Sequence, residues 1–244
     1  MRLPKIRGVI DRRILANYRV DPKCMESVLP APFRPKLVNG FAIGGICLIR
    51  LKSIRPKLLP LPWGLSSENA AHRIAVEWEN NGQFHNGVYV PRRDTNSRLN
   101  VISGGLLFPG IQHLASFSVI EKDDSYSVTM NSNDKTTSVH VSGNIGNGFD
   151  DKSAFKSLQS ASEFFQNGSL GYSDTKIRGK YDGMELKCET SDVLPLNVSS
   201  IKSTYFDDVQ RFPSGSVEFD CALLMRNIKH EWHGQSDLCC RVTA

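Results

Sequence analysis

From Glu68 onward the sequence is cut into short stretches of alternating apolar and polar residues, and this period of two limits the fold more than any other feature. His72–Trp78 sets Ile74, Val76 and Trp78 against Arg73, Ala75 and Glu77, the pattern of a strand whose two faces differ. Asn80-Asn81-Gly82 is a hairpin turn, and Asn86–Pro91 is the returning strand. Further strands are expected at Leu114–Glu121, Tyr126–Asn131 and Thr136–Asn144, separated by turns such as Asp123-Asp124. Turn signals about every 8–12 residues point to a barrel or a sandwich.

The N-terminal part reads differently. Arg13–Arg19 fits either a strand or a helix. Asp21 is placed to cap a helix with Pro22 in its first turn, ending before Pro30. Gly40–Leu51 reads as a mostly buried strand whose Gly44-Gly45 pair implies a bulge or a close approach. Ser53–Gly64 is a proline-rich ordered loop, and Asp151–Phe165 is the best later helix, closed by Asn167-Gly168. Strands follow at Leu170–Ile177, Gly183–Thr190, Lys202–Phe206 and Val217–His230. No repeat or linker divides the chain, so residues 1–244 are expected to form one mainly β domain.

Charge is distributed unevenly. Residues 1–60 hold 13 Lys and Arg against 3 Asp and Glu, while the remainder is net acidic. Such a basic quarter can meet nucleic acid, an anionic membrane surface or anionic ligands. Its charges are scattered and no RNA-binding or helix-turn-helix signature accompanies them, so a solvated face is expected and a nucleic-acid partner is not. No apolar run approaches the ~20 residues of a membrane span, and no signal peptide is recognisable, so membrane insertion is not expected. Six dispersed cysteines without a C-x-x-C then read as reduced thiols of a cytoplasmic protein, the adjacent Cys239-Cys240 having no assigned role.

Asn17–Pro22 (NYRVDP), Val28–Pro30 (VLP), the Asn39–Leu51 strand, Glu68–Val76 (ENAAHRIAV), Gly87-Val88-Tyr89 and Leu99–Phe117 occur in an order that resembles the DUF2071 proteins of the acetoacetate decarboxylase-like superfamily. Phe164–Tyr172 and Leu194–Leu196 look like that family's second half, so the likeness spans about residues 12–232. Arg73 and Val76 fit the family's Asn-x-Arg-x-Tyr-Val pattern, whereas Ala71 and Ala75 stand where Asn and Tyr are usual. The resemblance implies a large, cone-shaped, largely antiparallel β-barrel with two or three flanking helices and an interior cavity. It also implies a comparison with decarboxylases that form an imine on a lysine activated by a neighbouring cation. Those enzymes carry two adjacent lysines after a Phe-Pro pair. Here Phe108-Pro109 is followed by Gly110-Ile111, and the chain has no adjacent lysines, so Schiff-base decarboxylation is expected to be absent.

Leu99–Phe117 would form a wall of that cavity, with Phe108, Gly110, Gln112 and His113 as ligand contacts. Glu68 and Arg73 are candidates to hold a carbonyl or carboxylate, with Arg19 and Arg50 as weaker ones, and Glu68 and His113 are the candidate acid–base residues. Glu77, on the Arg73 face, and the Arg92-Arg93-Asp94 turn read as exposed. His230-x-x-His233 has zinc-compatible spacing only on a helix and lacks a third ligand, so no metal is assigned. No dinucleotide fingerprint, phosphate loop or nucleophile elbow is present, and no cofactor is expected. Three readings remain open: a small-ligand barrel without the lysine, an acid–base enzyme on a small carbonyl or carboxylic substrate, and a basic-faced protein binding nucleic acid or membrane.

Overall fold

A computed structural model describes residues 5–57, 64–103, 109–189 and 192–239. The chain opens with β1 (Ile6–Val20), helix α1 (Pro22–Val28), the two-residue pieces β2 (Arg34–Pro35) and β3 (Leu37–Val38), and β4 (Phe41–Pro56). The hairpin β5 (Leu65–Asn80) and β6 (Gln83–Thr95) comes next, then helix α2 (Arg98–Ser103). A meander of β7 (Gln112–Lys122), β8 (Ser125–Ser132) and β9 (Ser138–Ile145) leads to helix α3 (Leu158–Asn167). The remainder is β10 (Leu170–Asp174), β11 (Lys180–Cys188), β12 (Val193–Ser203), β13 (Val217–Gly234) and β14 (Leu238–Cys239).

Strand pairing closes on itself twice. Following β1–β4–β5–β6–β10–β11–β13 returns to β1, a ring of seven strands in which only the β6–β10 step is parallel. Following β6–β7–β8–β9–β12–β13 and back through β1, β4 and β5 gives a second, larger ring. The two share β13, β1, β4, β5 and β6, so both faces of the shared strands are covered. That is why β4 is apolar at both parities: Ala42, Ile46 and Leu48 join one core, and Ile43, Cys47, Ile49 and Leu51 join the other. β13 repeats the pattern, with Ala222 and Leu224 on one side and Leu223 and Met225 on the other. Each fully buried Leu, Ile or Met among them contributes roughly 1.5–3 kcal/mol.

The local signals account for most of the elements. Asn81 (φ 52°) and Gly82 (φ 75°) make the left-handed pair that a tight two-residue hairpin requires. The Asp21 carboxylate accepts from Cys24 N–H and caps α1. The Arg13–Arg19 segment resolves as strand. Helix α3 starts at Leu158 rather than Asp151. The Ser153 hydroxyl and the Ala154 N–H both donate to Asp220 on β13, at 2.7 and 2.6 Å, which holds the preceding segment in turns until Ser157 caps the helix. His230 and His233 lie on a strand, three residues apart, and therefore point to opposite faces. Among the described residues no group of His, Cys, Asp and Glu is arranged to hold a metal, and no helix is long and apolar enough to cross a membrane.

Part of the basic N-terminal quarter is solvated, as its scattered charges imply, with Lys5, Arg7, Lys23 and Arg34 exposed, but its arginines Arg12, Arg19 and Arg50 are drawn into ion pairs. Arg12 is 1% exposed, bonded to Glu68 at 2.6 Å and to Glu121. Arg50 joins the same two glutamates and Asp11, Lys52 pairs with Asp11, and Arg19 pairs with Glu218. Glu68, Glu121 and Glu218 from the acidic remainder, with Asp11, supply the partners of these cations.

Candidate functional site

The seven-stranded ring encloses a cavity of about 570 Å³, within the range typical of small-molecule sites. Helix α3 covers part of it with Ser162, Phe165 and Gln166, and the rim includes the exposed ends of Lys187, Cys188 and Glu189. Its wall is chiefly apolar: Leu15, Ile49, Leu51, Val88, Val90, Leu223, Met225 and Ile228 all face it. Three arginines interrupt that wall, namely Arg13 from β1, Arg73 from β5 and Arg93 from β6.

Arg73 is positioned by a row across three strands. Asn17, Gly45 and Arg73 are partners in register, and the absent side chain at Gly45 leaves the guanidinium free to cross β4 and donate to the side-chain Oδ1 of Asn17. A Cβ at Gly45 would lie 2.8 Å from the Ala16 carbonyl and 3.0 Å from that same Asn17 oxygen. Asn17 is held in turn by donating to the carbonyls of Leu15 and Cys221. On its other side the Arg73 guanidinium lies 4.3 Å from the centre of the Phe165 ring of α3. Arg93 takes the opposite direction, its Nε donating to Ser173 Oγ of β10 at 2.9 Å. Ser173 packs against Gly110, whose φ of +76° and lack of a side chain permit the contact, since a Cβ there would lie 2.5 Å from the serine Cβ.

These arginines are electrostatically incomplete. All 25 Asp and Glu residues lie among the described residues, and none is within ion-pair distance of Arg13, Arg73 or Arg93. Arg73 is 7% exposed, while Arg13 and Arg93 are half-buried in the cavity wall. Burial pushes the guanidinium pKa of both Arg73 and Arg93 down to about 10. The buried Nε atoms of Arg13 and Arg73 find no acceptor. Of the five N–H donors on each group, one is engaged on Arg73, one on Arg93 and none on Arg13. The remaining donors open onto the cavity, where a ligand could meet them.

The model of the DUF2071 family, described as an uncharacterized conserved protein, matches residues 10–180. The chain belongs to the DUF2071 family. No curated protein matches it. Among solved structures it is similar to acetoacetate decarboxylase from Legionella pneumophila, with a TM-score of 0.65 and 9% identity over 96% of this chain and 88% of that one. An acetoacetate decarboxylase-like enzyme from Sphingomonas wittichii RW1 gives a TM-score of 0.60 and 11% identity over 97% and 92%. The enduracididine biosynthesis enzyme MppR, in a complex with pyruvate, gives 0.57 and 11% over 97% and 90%. This DUF2071 chain thus has the acetoacetate decarboxylase-like fold, mainly β with three helices.

Within this DUF2071 fold the sequence candidates separate. Arg73 and Gln112 line the cavity. Glu68 does not join them. Five positions along the same strand reverse the side-chain direction, and Glu68 faces the Arg12–Arg50–Glu121 network in the other ring. Arg50 lies in that network and Arg19 on Glu218, both away from the cavity. His113 is outside it too, its Nδ1 at 3.2 Å from the Asp134 carboxylate. Gly110 acts from behind the wall, through Ser173 and through an N–H donated to Asp182. Phe108 and the Gly104-Gly105 pair lie outside the described residues. The Arg92-Arg93-Asp94 turn is not exposed: Arg92 is clamped between Asp94 and Asp134, and Arg93 faces the cavity. Sequence reading missed Arg13 and Arg93. Arg13 was visible, because it shares its strand face with Leu15 and Asn17. Arg93 was not, since the β5–β6 register shifts between His72 and Ile74 and breaks the alternation that Val88 and Val90 establish.

Proposed function

We propose that this protein binds a small organic carboxylate inside the seven-stranded ring and performs no imine chemistry on it. The observation that supports this reading is the set of three arginines in one largely apolar cavity with no carboxylate within ion-pair distance of them, the lining carboxylates Asp94, Glu185 and Glu189 being paired with Arg92, Lys187 and Lys229. An unpaired cation taken out of water costs several kcal/mol, and a bound anion would return much of it through charge-assisted, bidentate hydrogen bonds. The apolar wall suits the carbon skeleton of such a ligand. MppR, a structural neighbour, has been solved with a small keto acid bound.

The imine is absent from this reading because the wall offers no suitable amine. Lys187 is the lysine among the described lining residues. Its side chain is 55% exposed at the rim and lies 3.6 Å from Glu185, without the desolvation that activates an imine-forming lysine. Glu68 and His113 stand away from the cavity, which disfavours an acid–base enzyme built on that pair. Arg12, Arg19 and Arg50, which would contribute to a basic face, are instead paired with carboxylates, and the five described cysteines are free thiols, as a cytoplasmic setting would keep them.

Thermal unfolding in the presence of short-chain carboxylates, the matching amides and the matching alcohols tests the proposal. Carboxylates raise the melting temperature while amides and alcohols do not, and borohydride treatment with acetoacetate leaves the protein mass unchanged. Equal response to the neutral analogues, or a covalent adduct, would overturn it.

A further inference from the structure

The cavity's cations are not gathered at one point. Arg73 is drawn towards Asn17 on β1, and Arg93 towards Ser173 on β10. Round the ring of seven, β1 and β10 are separated by β4, β5 and β6 one way and by β13 and β11 the other, so the two anchoring residues stand across its diameter. Arg13 belongs with Arg73, since its positive charge is one of the causes that hold the Arg73 pKa down. Gln112, the register partner of Arg93 on β7, completes the second position with an amide that also faces the cavity. The cavity wall also offers apolar residues, among them Leu15, Cys47, Val88 and Met225.

We propose that the ligand is a two-ended anion: an apolar body carrying one anionic group for Arg13 and Arg73 and a second for Arg93 and Gln112. This rests on the carboxylate reading above and narrows it. A monocarboxylate leaves one of the two positions unneutralised, whereas a dicarboxylate satisfies both and places its carbon chain against the apolar wall. Charge count and charge separation are distinct requirements here, since a phosphate monoester carries two charges on one group and reaches one position only.

Calorimetric titration with three series of matched chain length decides the matter: linear monocarboxylates, α,ω-dicarboxylates and alkyl phosphates. The best dicarboxylate binds at least about tenfold tighter than the monocarboxylate of equal length, a difference the second charged contact readily supplies. Arg93→Gln brings that ratio close to one, and Arg73→Gln weakens both acid series. If monocarboxylates and dicarboxylates bind equally well to the unaltered protein, the two-ended ligand is wrong while the carboxylate reading stands. An alkyl phosphate that outbinds every dicarboxylate overturns it in favour of a single polyanion position. No binding in any series removes both readings. The comparison on the unaltered protein decides even if a variant fails to fold.

Discussion

Replacing Arg73 by methionine should make the ligand-free protein more stable while destroying its binding site. Desolvation lowers the Arg73 pKa from 12.5 to about 10, which corresponds to a penalty on the order of 3 kcal/mol for keeping the buried guanidinium charged. Methionine is of comparable length, keeps the packing on the Phe165 ring and carries no charge. The substitution loses the hydrogen bond to Asn17, worth about 1 kcal/mol, and part of the cation–ring attraction, worth up to about 1 kcal/mol. The balance is a gain of about 1–2 kcal/mol. For a chain of this size that raises the melting temperature by about 2–8 °C. Urea unfolding and a thermal scan of ligand-free protein measure the gain, and repeating the scan with a carboxylate measures the loss of binding. A fall in melting temperature of several degrees would show that Arg73 is structural cement rather than a ligand contact. Carboxylate binding retained by Arg73→Met would refute the reasoning outright.

Other consequences are equally open to measurement. Glu68→Gln leaves the 1%-exposed Arg12 and its neighbour Arg50 short of a carboxylate, so it should destabilise the fold by about 3 kcal/mol in urea yet leave carboxylate affinity unaltered. Gly45→Ala pushes a methyl group against the Ala16 carbonyl and the Asn17 oxygen that holds Arg73, and calorimetry should show carboxylate affinity falling by about tenfold or more together with a loss of stability. His72 and His230 are buried, and desolvation lowers their pKa values to about 3 and about 4. Their folded values lie below the unfolded value of 6.5, so their contribution is fully present above pH 6.5 and is lost as pH falls towards 4. Each should add about 1.4 kcal/mol per pH unit to the slope of stability across that window, and His230→Phe should remove its share.

How far the sequence carried the account depends on whether a signal was local. Turn chemistry was local, so the Asn81-Gly82 hairpin and the Asp21-Pro22 helix start were readable directly. The barrel followed from the alternating strands and from an ordered resemblance. The shared wall between two rings was harder to see, because a strand buried on both faces, like β4, looks the same as any apolar run. Glu68 and Arg73 show a different failure: their odd separation already put them on opposite faces, but both residue types suited the expected chemistry. The partners that explain Glu68, namely Arg12, Arg50 and Glu121, come from three other strands and cannot be inferred from spacing. Arg93 was concealed by a register shift, and the absence of any acid within ion-pair distance of the three arginines is a fact of three dimensions alone. The start of α3 was set by Asp220, more than sixty residues downstream in sequence.

The most direct test of the central claim is a crystal structure of the protein equilibrated with a linear dicarboxylate. The account predicts density within the seven-stranded ring, with one carboxylate at about 2.7–2.9 Å from guanidinium nitrogens of Arg13 or Arg73. A ring interior without the acid at saturating concentration, with Arg73 still bonded to Asn17 alone, would contradict it.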